Sequence, residues 1–235
     1  MTSEACDILA FAPHPDDAEI ACGGTLLLLG QQGRKLVVVD ATRGEKGTRG
    51  DAATRESEAA AATKMLGLLA RENLGLADTM VVDDAKSAAL LVAAIRRWRP
   101  RILLAPHVKD PHPDHVACSQ LAARAFFLAG LKNFHPEHGA PHRPAVVLRY
   151  PLHEPIEPTL CIDITTVHAK KQQLIACYAS QLSGASNEHF VKRLDIKERI
   201  DVRDRFYGAQ IGVTAAEPLW CASPLAMRDL SVLGS

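Results

Sequence analysis

The sequence predicts an α/β fold, a Rossmann-like three-layer arrangement in which a mainly parallel sheet carries helices on both faces. Two observations lead to this prediction. Short apolar segments rich in β-branched residues alternate with longer segments of helical composition over the first 130 residues, as is typical of strands buried in a parallel sheet. Polar turns also follow the first and fourth apolar segments directly, at the sheet edge where such folds bind ligands.

Four strand–helix pairs are expected in succession in this part of the chain. Gly33 and Gly67 mark the ends of the first two helices and Pro100 follows the third, because glycine and proline disfavour continuation of a helix. The predicted strands cover residues 7–12, 35–41, 72–76 and 101–106. The predicted helices cover residues 18–32, 54–66, 86–98 and 116–128.

The pattern is less regular in the second half of the chain. Residues 132–144 are rich in His, Pro and Gly and are expected to form a loop. Further strands are expected at residues 145–150 and 159–164, and further helices are expected at residues 166–178 and 190–207. Because no repeat, low-complexity tract or clear linker interrupts the sequence, we expect one domain over residues 1–235, in which residues 131–235 decorate the core sheet.

The composition excludes several classes of function. The 27 basic and 27 acidic side chains cancel, which leaves no electrostatic footprint for nucleic acid or an acidic membrane surface. No apolar segment approaches the ~18–20 residues of a membrane span, and the amino terminus lacks the basic region of a signal peptide, so a cytoplasmic location is expected. The six scattered cysteines are expected to be free thiols. Ten histidines in this composition indicate a metal site.

The two polar turns carry the residues that suggest chemistry. The first is His-Pro-Asp-Asp at residues 14–17, and the second is His-Pro-Asp-His at residues 112–115. Strands one and four often neighbour each other in doubly wound sheets, so we expect the two turns to face each other across one cleft. Catalytic zinc takes three protein ligands from His, Asp, Glu or Cys and leaves a position for water.

This chemistry assigns a role to each polar side chain of the two turns. Asp16 is left free beside a ligand and is expected to act as a general base. His112 is expected to stabilise an oxyanion or to protonate a leaving amine, and Asp114 to orient it by a hydrogen bond. The expected metal ligands are His14, Asp17 and His115.

A structural interpretation of each turn stands beside this one. Aspartates after a strand can cap the next helix, and His-Pro dipeptides occur in ordinary turns. A non-catalytic module that binds a sugar or nucleotide on a Rossmann-like sheet is the alternative function. The free carboxylate of Asp16 distinguishes the two functions, because hydrolysis needs a base and binding does not.

The motifs also resemble a known family. Residues 12–25, with Pro-His-Pro-Asp-Asp and Gly-Gly-Thr, are similar to the hallmark of the LmbE-like (PIG-L) zinc-dependent N-deacetylases, although Pro13 stands where alanine is usual. Residues 112–115 resemble the second motif of that family. The resemblance extends from residue 7 to about residue 220. Weaker similarities point to one branch, the bacillithiol-biosynthesis deacetylase of N-acetylglucosaminyl-malate, and they lie at residues 40–50, 55, 71–76, 141–144, 178–181, 203–208, 212 and 216–217.

The resemblance implies the same ligand and catalytic residues as the chemistry above. It also implies Zn²⁺ as the cofactor, with Fe²⁺ as the alternative, and an N-acetyl sugar conjugate as the small-molecule partner of a homo-oligomeric enzyme. An inositol conjugate or a chitooligosaccharide is the alternative to the malate conjugate. The family tyrosine over the reacting carbonyl falls near Ile196, which cannot donate a hydrogen bond. The expected substrate contacts are Arg55, Thr42, Glu45 and Arg49.

Overall fold

The main sheet contains five parallel strands in the order β3-β2-β1-β4-β5. The structure is a computed structural model that describes residues 5–47, 51–182 and 195–226. The order reverses between β1 and β4, which are hydrogen-bonded neighbours, so the expected pairing of strands one and four is confirmed. The strands are β1 (Ile8–Ala12), β2 (Leu36–Thr42), β3 (Ala70–Leu76), β4 (Ile102–Pro106) and β5 (Val146–Tyr150).

Helices cover both faces of this sheet, which confirms the predicted α/β fold class. Leu26 and Leu174 belong to the core on one face, and Leu91 and Leu121 belong to the core on the other. The longer helices are α1 (Asp17–Gln31), α2 (Ala52–Leu66), α3 (Ala85–Trp98) and α4 (Pro113–Leu128). The later helices are α5 (His168–Ile175), α6 (Ala179–Leu182) and α7 (Ile196–Ile211).

Local chemistry explains where several helices start and stop. The side chain of Asp51 accepts a hydrogen bond from the Thr54 amide at 2.8 Å, and that of Asp84 accepts one from Ser87 at 2.7 Å. Each carboxylate thereby satisfies an amide that the first turn of a helix leaves unpaired. Gly67 ends α2 with φ of 64°, a left-handed conformation that favours glycine.

The segment after α4 both extends the main sheet and covers it. It supplies β5 at the edge and a separate antiparallel pair, β6 (Leu160–Asp163) and β7 (Ala216–Leu219). Strand β7 is only four residues long and the sequence analysis did not identify it. Its Pro218 disfavours a strand prediction, whereas pairing with β6 stabilises the strand in the fold. Residues 190–194 of the predicted last helix lie outside the described ranges.

Helix α1 has a kink that ties it to the C-terminal segment. Cys22 has a non-helical φ of −137°, and backbone groups on either side of it make two contacts with the C-terminal segment. The Gly24 amide donates to Glu217 at 2.8 Å, and the Ile20 carbonyl accepts from Arg203 at 2.6 Å. The kink therefore leaves backbone groups for the C-terminal segment to bind.

Three buried charges lie where α1, α5 and α7 meet, and we call them the buried ion cluster. Lys171 contacts Asp204 at 2.5 Å and Glu217 at 2.7 Å, and all three side chains have zero exposure. Glu217 also accepts hydrogen bonds from the amide and hydroxyl of Thr25 at 2.7 and 2.6 Å. The Gly-Gly-Thr motif at residues 23–25 therefore holds a buried carboxylate.

None of the described helices combines the length and the apolar composition that a membrane span requires.

Candidate metal centre

The two polar turns face each other at the carboxyl ends of β1 and β4, as the sequence analysis expected. The ring centre of His14 lies 4.9 Å from that of His112 and 5.4 Å from that of His115. Parallel pairing of β1 with β4 brings both turns to the same edge of the sheet. The imidazoles therefore meet at the point where the strand order reverses, which is the usual ligand site of such sheets.

The helices that follow the strands start earlier than the sequence analysis placed them. Helix α4 begins at Pro113 rather than residue 116, and α1 begins at Asp17 rather than residue 18. Proline is favoured at the first position of a helix, so the sequence did contain a signal for the start of α4. Asp17 and His115 consequently project from first helical turns, which fixes their backbones on regular elements.

Asp16 occupies the N-cap position of α1 without acting as a cap. Its φ is 119°, a positive value that L-residues adopt at a cost, and its side chain makes no capping hydrogen bond. The interpretation of this aspartate as a simple helix cap is therefore wrong. The local strain instead turns a nearly buried carboxylate toward the cleft residues His14 and Arg55.

The three expected ligand side chains converge on one carboxylate oxygen. Asp17 Oδ2 lies 3.0 Å from His14 Nδ1 and 3.4 Å from His115 Nε2. Ligand atoms in a tetrahedral zinc site lie about 3.3 Å from one another when the metal bonds are near 2.0–2.1 Å. Both distances to Asp17 are of the size that a zinc ion requires, and a bound ion would take His14 Nδ1, one Asp17 oxygen and His115 Nε2 as donors.

The second nitrogen of each imidazole faces a carboxylate. His14 Nε2 lies 3.1 Å from Asp78 Oδ1 and 3.3 Å from Asp114 Oδ2, and His115 Nδ1 lies 3.0 Å from Asp110 Oδ1. Such outer carboxylates orient metal-binding imidazoles and raise their basicity. They leave His14 Nδ1 and His115 Nε2 as the nitrogens directed at Asp17.

The sequence analysis missed Asp78 and Asp110, although each had a signal. Asp78 follows the carboxyl end of β3, and Asp110 lies within the polar turn that follows β4. Both therefore come from strand ends at the edge where ligands bind. Because β3 is not adjacent to β4 in the sheet, only the folded chain brings Asp78 to His14.

The electrostatics of the centre favour a bound cation. Although burial opposes it, hydrogen bonds from His14 and the Lys46 amide lower the pKa of Asp78 to about 2. Burial lowers the pKa of His115, but the charge of Asp17 and contacts with Asp110 outweigh this effect and raise it to about 9. The carboxylates thus remain ionised and hold protons on the imidazoles. A divalent cation could replace those protons.

The expected hydrogen bond between the side chains of Asp114 and His112 is not formed. The Asp114 carboxylate instead accepts the amides of Thr79 at 2.7 Å and Val81 at 3.2 Å and faces His14. The backbone amide of Asp114 donates to His112 Nδ1 at 3.2 Å. Because α4 starts at Pro113, Asp114 lies in its first turn and points toward the loop after β3.

The hydrogen bond from the Asp114 amide assigns the tautomer of His112. Since Nδ1 accepts a hydrogen bond, the neutral ring carries its proton on Nε2. Burial and the positive charges of His115 and His14 lower the pKa of His112, which favours that neutral form. His112 therefore lines the cleft with Nε2 as its hydrogen-bond donor.

Arg55 has a different place from the one expected for a substrate contact. Arg55 is 4% exposed, and its guanidinium pairs with Asp16 Oδ1 at 3.1 Å and donates to the Pro15 carbonyl. Burial raises the pKa of Asp16 to about 7, while the charge of Arg55 acts to lower it. The guanidinium is therefore occupied in holding Asp16, although it borders the cleft.

The loop after β2 was expected to line a sugar pocket, and Lys46 and Gly47 of this loop line the cleft. Thr42 is fully buried, and its hydroxyl bonds the Pro13 carbonyl and the Gly44 amide at 3.1 Å each. Thr42 thus braces the loop and does not reach the cleft, because it still belongs to β2. Glu45 accepts the Asp78 amide at 3.0 Å and holds that residue in place. Arg49 lies outside the described residues.

The cleft over the centre has a volume of about 340 Å³ and one wall that the sequence analysis did not foresee. The loop after β5 supplies His153, whose ring stacks on His115 with 5.1 Å between centres and whose Nδ1 lies 3.1 Å from Asp110. Helix α7 supplies Ile196 and Arg199. The position expected for the family tyrosine is thus in the cleft and carries an apolar side chain. A larger cavity of about 730 Å³ lies beside α2, away from the imidazoles.

Comparison with known proteins places the chain in a family. The model of the PIG-L family, described as GlcNAc-PI de-N-acetylase, matches residues 9–126. The chain is 30% identical over 188 residues to diacetylchitobiose deacetylase of Thermococcus kodakarensis, a match that covers 74% of this chain and 69% of that protein. It is also 30% identical over 168 residues to the 1D-myo-inositol 2-acetamido-2-deoxy-α-D-glucopyranoside deacetylase of Streptomyces avermitilis, which covers 57% of each.

Solved structures share the whole fold. The conserved protein TT1542 from Thermus thermophilus superposes with a TM-score of 0.87 at 35% identity, over 96% of this chain and 99% of that one. The N,N'-diacetylchitobiose deacetylase from Pyrococcus horikoshii superposes with a TM-score of 0.80 at 26% identity, over 92% and 83% of the two chains.

The named relatives differ in substrate and in reaction. The named deacetylases above act on a chitobiose derivative and an inositol glycoside, so the expected bacillithiol branch is not supported. The 4-oxalmesaconate hydratase of Pseudomonas putida is 29% identical over 198 residues, covering 77% of this chain and 76% of that protein, so relatives include a different reaction. With a family model over residues 9–126 and a 30% identical relative matched over 69% of its length, this chain belongs to the PIG-L family.

Proposed function

We propose that this protein is a metal-dependent deacetylase of N-acetylglucosaminides that hydrolyses the acetamide to acetate and a free amine. The observation that carries the proposal is Asp16, a buried carboxylate in a strained backbone conformation that caps no helix. It lies directly beside two of the three proposed metal ligands. A binding module needs no such group, whereas hydrolysis needs a base next to the metal-binding side chains.

The proposed metal ligands are His14, Asp17 and His115. Their donor atoms lie 3.0–3.4 Å apart across Asp17 Oδ2, and outer carboxylates occupy the other imidazole nitrogens. Zinc is the proposed ion and ferrous iron the alternative, because both accept imidazole and carboxylate ligands. When bound, such an ion supplies a Lewis acid for the amide carbonyl and lowers the pKa of water, to about 7 for zinc.

Asp16 is proposed to take the proton from the attacking water. Its pKa of about 7, raised by burial, lies close to neutral pH, where a base that must accept and then release a proton works well. Arg55 pairs with one oxygen at 3.1 Å, which holds the carboxylate in place and leaves the other oxygen to accept the proton. General base catalysis of this type contributes roughly 10²–10⁴-fold to a rate.

His112 is proposed to donate from Nε2 to the oxygen that becomes negative as the amide is attacked. The Asp114 amide on Nδ1 keeps the proton on Nε2 and directs the ring. One preorganised donor to an oxyanion is worth about 10²–10³-fold. The proton that Asp16 takes from the water is then available for the leaving amine, because both protons of the water end on the ammonium product when acetate leaves as the anion.

The substrate class follows from relatives rather than from the centre. The two deacetylases named above act on N-acetylglucosamine derivatives with sugar or inositol partners, which favours these over the malate conjugate first expected. The hydratase relative supports a second candidate, addition of water to an unsaturated acid. Both reactions use a base and an activated water, but only deacetylation releases acetate.

The test is acetate release from metal-loaded protein. We expect turnover of at least one member of a panel of diacetylchitobiose, N-acetylglucosaminyl-inositol and N-acetylglucosaminyl-malate. Asp16→Asn is expected to lower kcat by roughly 10²–10⁴-fold while metal content stays at the wild-type level. The matched control is Asp163→Asn, an exposed aspartate on β6 that should leave kcat unchanged.

Two results would overturn the proposal. Wild-type acetate release by Asp16→Asn would remove the assigned base. No acetate from any panel member, together with hydration of 4-oxalmesaconate by the same preparation, would replace the deacetylase with the hydratase. Binding of the panel sugars without turnover would instead favour a sugar-binding module.

A further inference from the structure

The turn after β3 holds both carboxylates that face His14. It supplies Asp78, whose Oδ1 lies 3.1 Å from His14 Nε2. The other carboxylate belongs to Asp114, whose Oδ2 lies 3.3 Å from the same nitrogen and which accepts two backbone amides of this turn at 2.7 and 3.2 Å. The turn, residues 78–81, therefore supports His14 through both carboxylates, and we call it the His14 brace.

One residue of the His14 brace is strained. Thr79 has a φ of 66°, in the left-handed region that residues other than glycine adopt at a cost. Strain of this kind persists where the surrounding contacts outweigh it. Here it accompanies the 2.7 Å hydrogen bond from the Thr79 amide to Asp114 Oδ2. Contacts with the metal centre therefore take part in setting the conformation of the brace.

The His14 brace is tied to the loop after β2 by two hydrogen bonds that run in opposite directions. The Asp78 amide donates to Glu45 Oε1 at 3.0 Å, and the Lys46 amide donates to Asp78 Oδ2 at 2.7 Å. Lys46 contributes its backbone to this pair, whereas Glu45 contributes its side chain. Substitution of Glu45 therefore removes one of the two bonds and leaves the other in place.

The loop after β2 is also fixed by contacts that do not involve Glu45. The Thr42 hydroxyl donates to the Pro13 carbonyl and accepts the Gly44 amide, at 3.1 Å each. The Arg55 guanidinium donates to the Gly44 carbonyl at 3.4 Å. We therefore expect the loop to keep its path when the Glu45 carboxylate is removed, so that the loss falls on the contact with Asp78.

We infer that Glu45 is a positioning residue for the metal, which acts through Asp78 on the orientation of His14. The bond from the Asp78 amide to a carboxylate is charge-assisted and therefore stronger than one to a neutral acceptor. Asp78 in turn faces His14 Nε2, which leaves Nδ1 directed at Asp17. The inference rests on the proposed metal-dependent activity, since it requires an ion bound to His14.

The first experiment measures zinc affinity and needs no substrate. Metal-free protein is titrated with zinc in competition with a chromophoric chelator. Loss of a partner beyond the ligands lowers metal affinity about 10- to 100-fold, and we expect Glu45→Ala, one contact further out, to raise the Kd about tenfold. Glu45→Gln should raise it only about threefold, because the amide oxygen still accepts the Asp78 amide. Glu56→Ala, on an exposed glutamate of α2, should leave the Kd unchanged.

A double-mutant cycle tests whether Glu45 acts through Asp78. Asp78→Ala removes the carboxylate that faces His14 and should itself raise the zinc Kd at least about tenfold. Adding Glu45→Ala to Asp78→Ala should then change the Kd less than about twofold, because the group that Glu45 positions is gone. A further tenfold rise in the double variant would contradict a path through Asp78.

The second experiment separates metal positioning from contact with the substrate, which the sequence analysis expected of Glu45. With zinc in excess of its Kd, Glu45→Ala should release acetate with a KM within about twofold of wild type. A direct contact would instead raise KM at an unchanged zinc Kd, and that result would overturn the inference. Circular dichroism of each variant shows whether it folds, so that lost affinity can be attributed to the side chain.

The outcomes distinguish the inference from the proposed function. An unchanged zinc Kd in Glu45→Ala, with acetate still released by wild type, would overturn the positioning role and leave the deacetylase standing. A tenfold weaker Kd in Glu45→Ala of protein that cleaves no amide would support the role and overturn only the deacetylase. Equal zinc binding by wild type and His14→Ala would overturn both.

Discussion

The candidate metal centre and the buried ion cluster both place charges inside the protein, and they differ in how those charges are satisfied. In the buried ion cluster, Lys171 lies between Asp204 and Glu217 at 2.5 and 2.7 Å, with no exposure of any of the three side chains. In the metal centre, His14 and His115 direct one nitrogen each toward Asp17 at the floor of an open cleft.

The difference separates structural charge from functional charge. Buried charges that are fully paired hold elements together, here α1 against α5 and β7, and they contribute specificity more than net stability. Charged side chains whose donor atoms converge at the floor of an open cleft are placed to bind a ligand. Backbone strain follows the same division, because Asp16 has a φ of 119°, whereas Lys171 and Asp204 lie in regular helices.

Removal of a proposed metal ligand should have the largest effect. We expect His115→Ala to lose bound metal and to lower kcat/KM by at least about 10³-fold, because the metal supplies several kcal/mol of transition-state stabilisation. Metal content by mass spectrometry and acetate release check this. His135→Ala, in a surface group of His135, Glu137 and His138, is the control for adventitious metal. Full metal occupancy in His115→Ala would remove His115 from the ligand set.

Disruption of the buried ion cluster should cost stability rather than chemistry. We expect Lys171→Met to lower the free energy of unfolding by about 3–5 kcal/mol, because Glu217 loses its cation while it stays buried and Asp204 keeps only Arg203. Urea unfolding measures this. Lys170→Met, on the exposed neighbour, should change the free energy by less than about 0.5 kcal/mol. A loss below about 1 kcal/mol in Lys171→Met would mean that the cluster does not hold α1 in place.

The smallest expected effect tests the link between Arg55 and Asp16. A base works when deprotonated, so activity falls as the pH drops through its pKa. Because the charge of Arg55 lowers the pKa of Asp16, Arg55→Met should raise it and move the acid limb of kcat/KM to higher pH by on the order of one unit. Glu56→Gln, on the exposed next residue of α2, should leave the limb in place. An unmoved limb in Arg55→Met would separate that limb from Asp16.

The fold could be predicted from the sequence because its signals are local. The strands β1, β2 and β4 are continuous apolar segments, and the helices between them end at glycine, as α2 does at Gly67, or beside proline. The turns at residues 14–17 and 112–115 were also recognisable, since each follows a strand directly. These features depend on neighbours in the chain, so periodicity and turn chemistry are enough to identify them.

Contacts between distant segments could not be predicted in the same way. Asp78 faces His14 across 64 residues of chain, and Arg199 reaches the cleft from the far end of the sequence. The side chain of Asp114 points at His14 rather than His112 because α4 begins at Pro113, about one helical turn before the predicted start at residue 116. A shift of one residue in a helix rotates a side chain by about 100°, given 3.6 residues per turn.

The sequence by itself determined the α/β architecture, the order of its elements and the two turns that carry His14, Asp17 and His115. The tertiary structure decided which nitrogen of each imidazole is available, that Arg55 pairs with Asp16, and that Arg199 lines the cleft. The physical reason is range: secondary structure follows from nearby residues, whereas the partner of a charged side chain depends on whichever segment the fold brings within hydrogen-bond distance.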